Sequence, residues 1–169
     1  MRAIELADID SGQWRALEGD EPHPWGGEAE ALTWAPKTDY VGVPAEDGEL
    51  LAMAAALVAE VTAGAEVFPV AGVGGVIVRP DMRGRGLAKL VVEAILEVAA
   101  RLGPERAMLF CREPLVAMYE RFGFRLIDAP VTAAQPGGRV EMPLRAMWRP
   151  LRPEATWPPG PVAVLGEPF

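Results

Sequence analysis

The pattern of apolar and polar positions divides the chain into short strand-like runs and a few helical ones. Residues 2–6 read as a short edge strand. Residues 9–18 place Ile9, Trp14 and Leu17 at helical spacing and read as a short helix. Residues 20–37 are rich in Gly, Pro and Trp and lack periodicity except around Glu28 to Leu32, so they read as a loop holding a short helix. Long loops of this kind in compact domains are often functional. Tyr40, Val41 and Val43 predict a strand, Glu46-Asp47-Gly48 a turn, and Leu50 to Val61 a long second strand. The alanines of that second run are weak strand formers, which leaves a helix as the alternative, but the adjacent turn residues favour a strand. Glu66 to Val78 reads as a further strand, interrupted by Gly72, Gly74 and Gly75, which mark a bulge or the close approach of another group.

The clearest helix covers residues 84–102, where Leu87, Leu90, Val91, Ala94, Val98 and Leu102 form one apolar stripe. Lys89, Glu93, Glu97 and Arg101 lie four apart on the other face, and Gly103-Pro104 ends the run. Ala107 to Cys111 predicts a short buried strand. Pro114 suits the first turn of a second helix that runs to about Phe122, with Gly123 as its cap. Residues 124–128 and 139–149 read as a last hairpin, and residues 150–169, with six prolines, as an irregular tail. There is no internal repeat. The order strand, strand, helix, strand, helix, strand, strand predicts an α/β (α+β) sandwich: a single domain over 1–169, built on a mixed, mostly antiparallel sheet flanked by helices.

Composition narrows the chemistry. The 169 residues suffice for one ordinary domain with its own core. One cysteine, Cys111, and one histidine, His23, exclude an intrachain disulfide and a cysteine metal cluster, so no metal site is expected. The first residues show no leader pattern, and the longest apolar stretch, Leu50 to Ala59, is about half a membrane span. The expectation is a soluble, cytoplasmic protein with no membrane partner. The net charge of −8 is unevenly spread. Residues 1–66 hold 14 acids and 3 bases, a net of −11, and residues 67–169 hold 10 acids and 13 bases, a net of +3. Two differently solvated surfaces would account for this, and so would an anionic ligand on the second half and a cationic one on the first. The lack of a strongly basic face argues against nucleic acid.

The informative segment is Val76-Ile77-Val78-Arg79-Pro80-Asp81-Met82-Arg83-Gly84-Arg85-Gly86-Leu87-Ala88. A strand ends, a basic glycine-rich turn follows, and the long helix begins. The first N–H groups of a helix have no internal partner, and the positive end of the helix dipole lies there. Gly84 and Gly86 would let a ligand approach the backbone, while Arg83 and Arg85 add charge. Such a turn is an anion cradle suited to a pyrophosphate. The Gly-Lys-Ser/Thr of a P-loop and the Gly-x-Gly-x-x-Gly of a dinucleotide site are both absent.

The pattern Arg-x-x-Gly-x-Ala over Arg83 to Ala88, directly after Val-x-Pro, resembles the acetyl-CoA pyrophosphate motif of the GNAT superfamily of N-acetyltransferases. About thirty residues on, Leu109-Phe110-Cys111 followed by Tyr119-Glu120-Arg121-Phe122-Gly123-Phe124 is similar to the second motif of that superfamily. The resemblance covers residues 66–128 and extends to the remainder by topology. It implies an acceptor-side half over 1–66, an acetyl-CoA-binding core over 67–128 and the Pro-rich tail over 150–169. It further implies a sheet splayed between the strands at 66–78 and 107–111. There the backbone of Val76, Ile77 and Val78 would hold the pantetheine arm and steady the thioester oxygen. The N–H groups of Arg83, Gly84, Arg85, Gly86, Leu87 and Ala88 would take the pyrophosphate. Tyr119 would hydrogen-bond the sulfur and protonate the leaving thiolate; as a bland alternative it is a helix-face core residue with Leu115 and Phe122. A phenol near pKa ~10 and a thiol near ~8.5 make that transfer uphill by about 2 kcal/mol. Tyr119 therefore needs a lowered pKa or serves mainly as a hydrogen-bond donor.

An acceptor amine of pKa ~10.4 is neutral only about once in a thousand at pH 7, so a base helps. Many relatives carry a glutamate on the strand before the pyrophosphate turn. Here that stretch reads Ala71-Gly72-Val73-Gly74-Gly75, without an acid, and the glycines leave room for a bulky acceptor. Glu66, Glu113, Asp81 and His23 are the candidate bases. The resemblance places the acceptor site in the N-terminal third, where Trp14, His23, Trp25 and Trp34 stand among acids. Aromatics with carboxylates suit a cationic small-molecule amine, and ordinary core packing would also explain the tryptophans. Val67 to Val78 ahead of Arg-Gly-Arg-Gly, with the tail from Trp157 to Val162 and Gly166 to Phe169, is more weakly similar to the aminoglycoside 2′-N-acetyltransferase branch. Family habit admits a homodimer. Two functional classes follow: an active N-acetyltransferase attacking acetyl-CoA directly with a primary amine, or a catalytically silent CoA-binding sensor.

Overall fold

The computed structural model describes residues 1–21 and 27–169; His23 and Trp25 lie outside the described residues. The elements run in the order β1 (Ile4–Leu6), α1 (Ser11–Glu18), β2 (Asp39–Pro44), β3 (Leu50–Ala63), β4 (Glu66–Val78), α2 (Leu87–Arg101), β5 (Arg106–Cys111), α3 (Val116–Glu120), β6 (Arg125–Leu126), β7 (Val131–Gln135), β8 (Gly138–Glu141), β9 (Arg145–Pro150) and β10 (Val162–Val164). The ten strands of the described residues join one sheet in the order β6-β9-β5-β4-β3-β10-β7-β8, with β2 on the first half of β3 and β1 on β2. Among the described residues only β4/β5 and β10/β7 are parallel pairs. The sheet is therefore mixed and mostly antiparallel, with helices packed on it.

The alanine run of β3 is strand because both of its faces are covered. Leu50 to Leu57 are all buried. Ala52, Ala54 and Ala56 point into the cluster under α2, with Val91, Val92 and Ile95. Met53 and Ala55 point the other way, against Leu17 of α1. A strand sandwiched between helices reads as a continuous apolar run, and small side chains let both helices approach. Helix α1 is fixed at its start by a capping box, in which Asp10 accepts from the Gly12 and Gln13 N–H groups while Gln13 accepts from the Asp10 N–H.

The last third differs from the expected hairpin. Residues 139–149 divide into β8 and β9, and β6 pairs with β9. Strand β7, in the stretch between the two expected strands, forms a hairpin with β8. The tail is not wholly irregular, because β10 inserts between β3 and β7. Its companion Trp157 packs edge-on against Phe68 and beside Trp148, at ring separations of 5.3 and 5.4 Å. Among the described residues no helix is long and apolar enough to cross a membrane.

Candidate functional site

Strand β4 runs beside β5 only over Ala71–Val73, paired with Ala107–Leu109, and then leaves it. The departure begins at a bulge. Gly75 has a left-handed φ of 58°, and the register against β3 slips between Met53 and Ala55. A bulge bends its strand and adds twist. The other edge of β4 stays on β3 as far as Val78, so from Gly74 to Val78 the β5-facing edge has no strand partner. Val76 and Val78 pack partly against the cluster under α2, and Ile77 against the α1 cluster. The result is a wedge between β4 and β5, closed at Val73–Leu109 and open toward the β4–α2 turn.

At the open end Pro80–Met82 make one 3₁₀ turn, held by Arg79 on the Asp81 carboxylate at 2.7 Å and on Glu49 at 3.2 Å. The Arg79 guanidinium holds the Asp81 carboxyl below its ordinary range. Gly84 and Gly86 have φ of 76° and 81°, in the left-handed region that a side chain disfavours. Among the described residues, no atom beyond the chain neighbours lies within 4 Å of where a Cβ would stand on either. Among the described residues helix α2 starts at Leu87 with no side-chain cap, and the first N–H groups of a helix have no partner within it. Arg83 forks onto Glu21, Nη1–Oε1 3.1 Å and Nη2–Oε2 2.7 Å. Arg85 makes no ion pair among the described residues.

Tyr119 sits beyond the end of β5 in short helix α3, 6% exposed and edge-on to Phe124 at 6.0 Å. Leu115 and Phe122 flank the same cluster. Burial, with a smaller contribution from neighbouring Cys111, pushes its phenol well above the ordinary value rather than below it. Its hydroxyl makes no hydrogen bond to another described residue. It is thus a poor proton source and an available hydrogen-bond donor.

The opposite face of the wedge corrects the reading of the strand glycines. A Cβ on Gly72 would lie 2.6 Å from the Phe169 ring, and one on Gly74 would lie 2.9 Å from Lys37 Cε. That space is taken by Phe169 and the Lys37 stem, not by a bulky acceptor. Phe169 is buried against Phe110 at 5.4 Å. The segment carrying Lys37 is tethered along its length. Thr33 exchanges two hydrogen bonds with the Gln135 amide, the Ala35 N–H donates to Pro168, and the Thr38 N–H donates to Ala56. Lys37 Nζ donates to the Ala35 carbonyl at 3.2 Å and forms no ion pair among the described residues. Burial lowers its pKa to about 8. Lys37 carries no local sequence signal. It follows a proline just before β2, and only the tertiary contact with Gly74 marks it.

The aromatic candidates do not form one group. Trp14 packs in the α1 cluster, donates to Glu18 at 2.8 Å and faces Gly75, whereas Trp34 packs with the cluster of Phe110 and Trp148 on the other face. A cleft of about 380 Å³ opens at the end of β5, lined among others by Glu28, Cys111, Glu113, Leu144 and Arg145. Of the candidate bases, Asp81 is paired with Arg79, and Glu66 stands exposed at the far end of the β3–β4 hairpin. Glu113 lines the cleft, 3.4 Å from Arg145. Among the described residues no group of His, Cys, Asp and Glu is arranged to hold a metal ion.

Comparison with known proteins adds to this geometry. The sequence model of the Acetyltransferase (GNAT) family matches residues 5–124. Among solved structures, the GNAT family N-acetyltransferase YhbS from Escherichia coli, in complex with CoA, superposes with a TM-score of 0.64 at 20% identity, covering 97% of this chain and 90% of that one. The ribosomal-protein-S18-alanine N-acetyltransferase from Escherichia coli gives 0.57 at 16% identity, covering 92% and 99%. A GCN5-related N-acetyltransferase from Kribbella flavida is 29% identical with a TM-score of 0.46 over 52% of this chain, which spans only 22% of that protein's length. No curated protein matches.

Proposed function

Since the chain belongs to the GNAT acetyltransferase family, we propose that it transfers the acetyl group of acetyl-CoA, the co-substrate of that family, to a primary amine of a cationic small molecule by direct attack. The observation that carries this reading is the wedge. The unpartnered edge Gly74–Val78 leads at its open end to the uncapped start of α2 and at its closed end toward the buried interior. In the proposed arrangement the N–H groups of Arg83 to Ala88 hold the pyrophosphate and the backbone of Val76 to Val78 holds the pantetheine arm. A free N–H of that edge faces the thioester oxygen, where hydrogen-bond donors stabilise developing negative charge. Tyr119, with its raised pKa, donates a hydrogen bond to the departing sulfur and keeps its proton at the outset. The excess of acids over bases in residues 1–66 supports a cationic acceptor.

Calorimetric titration with acetyl-CoA, followed by thiol release across aminoglycosides, polyamines, amino acids and N-terminal peptides, tests the reading. Micromolar binding with thiol release on one acceptor is the expected result. Binding without release on any amine would favour a silent CoA sensor. Absence of binding would remove the reading altogether.

A further inference from the structure

We propose that the cleft at the end of β5 recognises an acceptor that carries a carboxylate beside two amines, the chemistry of a dibasic amino acid. The inference rests on the acetyltransferase reading and narrows its cationic acceptor. Strand β5 runs past its last β4 partner, Leu109, through Phe110 to Cys111. The cleft opens there, and Cys111 lines it. The same residue is the neighbour whose proximity helps to raise the Tyr119 phenol. Cleft and phenol therefore meet at one residue, on the β5 wall of the wedge. The volume of about 380 Å³ suits a small molecule.

The charges around the cleft define the acceptor. Its buried lining, Cys111 and Ala29, is apolar. Glu28 reaches it from the 3₁₀ turn Gly27–Ala31, Arg112 and Glu113 follow β5, and Arg145 begins β9. Glu113 and Arg145 satisfy each other at 3.4 Å. Neither Glu28 nor Arg112 makes an ion pair among the described residues. Two charges are thus cancelled, and one of each sign stays open. A simple polyamine would pair with Glu28 but leave Arg112 facing its remaining ammonium groups, and like charges brought together are costly. A carboxylate on the acceptor replaces that repulsion with a charge-assisted hydrogen bond, and the guanidinium fork matches its two oxygens. One open guanidinium balances one negative charge, which fits a carboxylate rather than a phosphate dianion. One amine of the acceptor, as its ammonium, pairs with Glu28, and the other is left for the thioester. The turn that carries Glu28 is anchored by buried Ala29 and by the two hydrogen bonds between Thr33 and the Gln135 amide.

Amine pairs that differ only by a carboxylate test the assignment: free lysine against cadaverine, and ornithine against putrescine. In the thiol-release assay, kcat/KM for at least one amino acid should exceed that for its diamine by about 10- to 100-fold, as expected for a hydrogen bond to a charged group. Arg112→Gln should abolish that preference. Glu28→Gln should weaken amino acid and diamine alike and keep the preference. Both side chains are exposed, so the variants report on recognition rather than on folding. Diamines turned over as well as the amino acids, or a preference that survives Arg112→Gln, would overturn the proposal. Calorimetric titration of the same four ligands, with and without CoA, reads the cleft independently of turnover. Amino acids that bind no better than their diamines would overturn it as well. Thiol release absent for every amine of the wider panel would instead count against the acetyltransferase reading, while the calorimetric comparison still decides on the cleft.

Discussion

At the scale of single residues, burial shifts two groups in opposite directions, the Tyr119 phenol up and the Lys37 amine down, and each shift makes its own prediction. Burial holds the Tyr119 phenol neutral, so in the proposed mechanism it contributes one hydrogen bond to a developing charge. Replacing it with Phe should lower turnover about 10- to 100-fold, from about 1.5–3 kcal/mol for a hydrogen bond to a charged group, while calorimetry finds acetyl-CoA affinity nearly unchanged. Equal turnover in the two proteins would remove Tyr119 from the mechanism. Lys37 costs the fold stability. Its folded pKa of about 8 lies below the ordinary 10.5, so between those values the unfolded chain binds more protons and stability rises with pH. Below pH 8 the full penalty stands, about 3 kcal/mol by linkage. Lys37→Met should therefore be more stable than the parent at pH 7, by several degrees in a thermal melt. The gap should shrink toward pH 10. A variant melting at or below the parent at pH 7 would show that the amine is not penalised.

At the scale of elements, the strand–turn–helix from Val76 to Ala88 was legible in the sequence, because its cues are local: two glycines before an apolar helical stripe. The structure gives those glycines left-handed φ with open space beyond. A Cβ at residue 86 would lie within 4 Å of no atom of the described residues beyond its chain neighbours, so Gly86→Trp should cost about 1–2 kcal/mol of backbone strain and yet abolish tight acetyl-CoA binding by blocking the backbone. A folded Gly86→Trp protein that binds normally would displace the pyrophosphate from this turn. The glycines of β4 and the last third were less legible for the complementary reason. Whether Gly72 and Gly74 leave room or are filled depends on Phe169 and Lys37, which are distant in sequence. Strands β7 and β10 are short, flanked by prolines, and defined by partners far along the chain. Periodicity reports which face of a segment is apolar, not which distant strand completes it.

Across the whole molecule, the tail acts as a clasp. A Cβ on Gly64 would lie 2.6 Å from the Pro159 carbonyl oxygen, and one on Gly160 would lie 2.9 Å from the Gly64 Cα. Gly64→Val should push the tail off the β3–β4 turn, loosen Phe169 and lower the melting temperature, with a cost of about 1–3 kcal/mol; an unchanged melt would mean that the tail adapts. The placement of β10 has a kinetic counterpart. In the sheet, β7 and β8 reach β3 only through the three residues Val162–Val164. The β7–β8 amides should then lose their protection against hydrogen exchange together with those of β10, as one opening unit, while β3 and β4 stay closed. Three residues thus set how often a whole edge of the protein breathes.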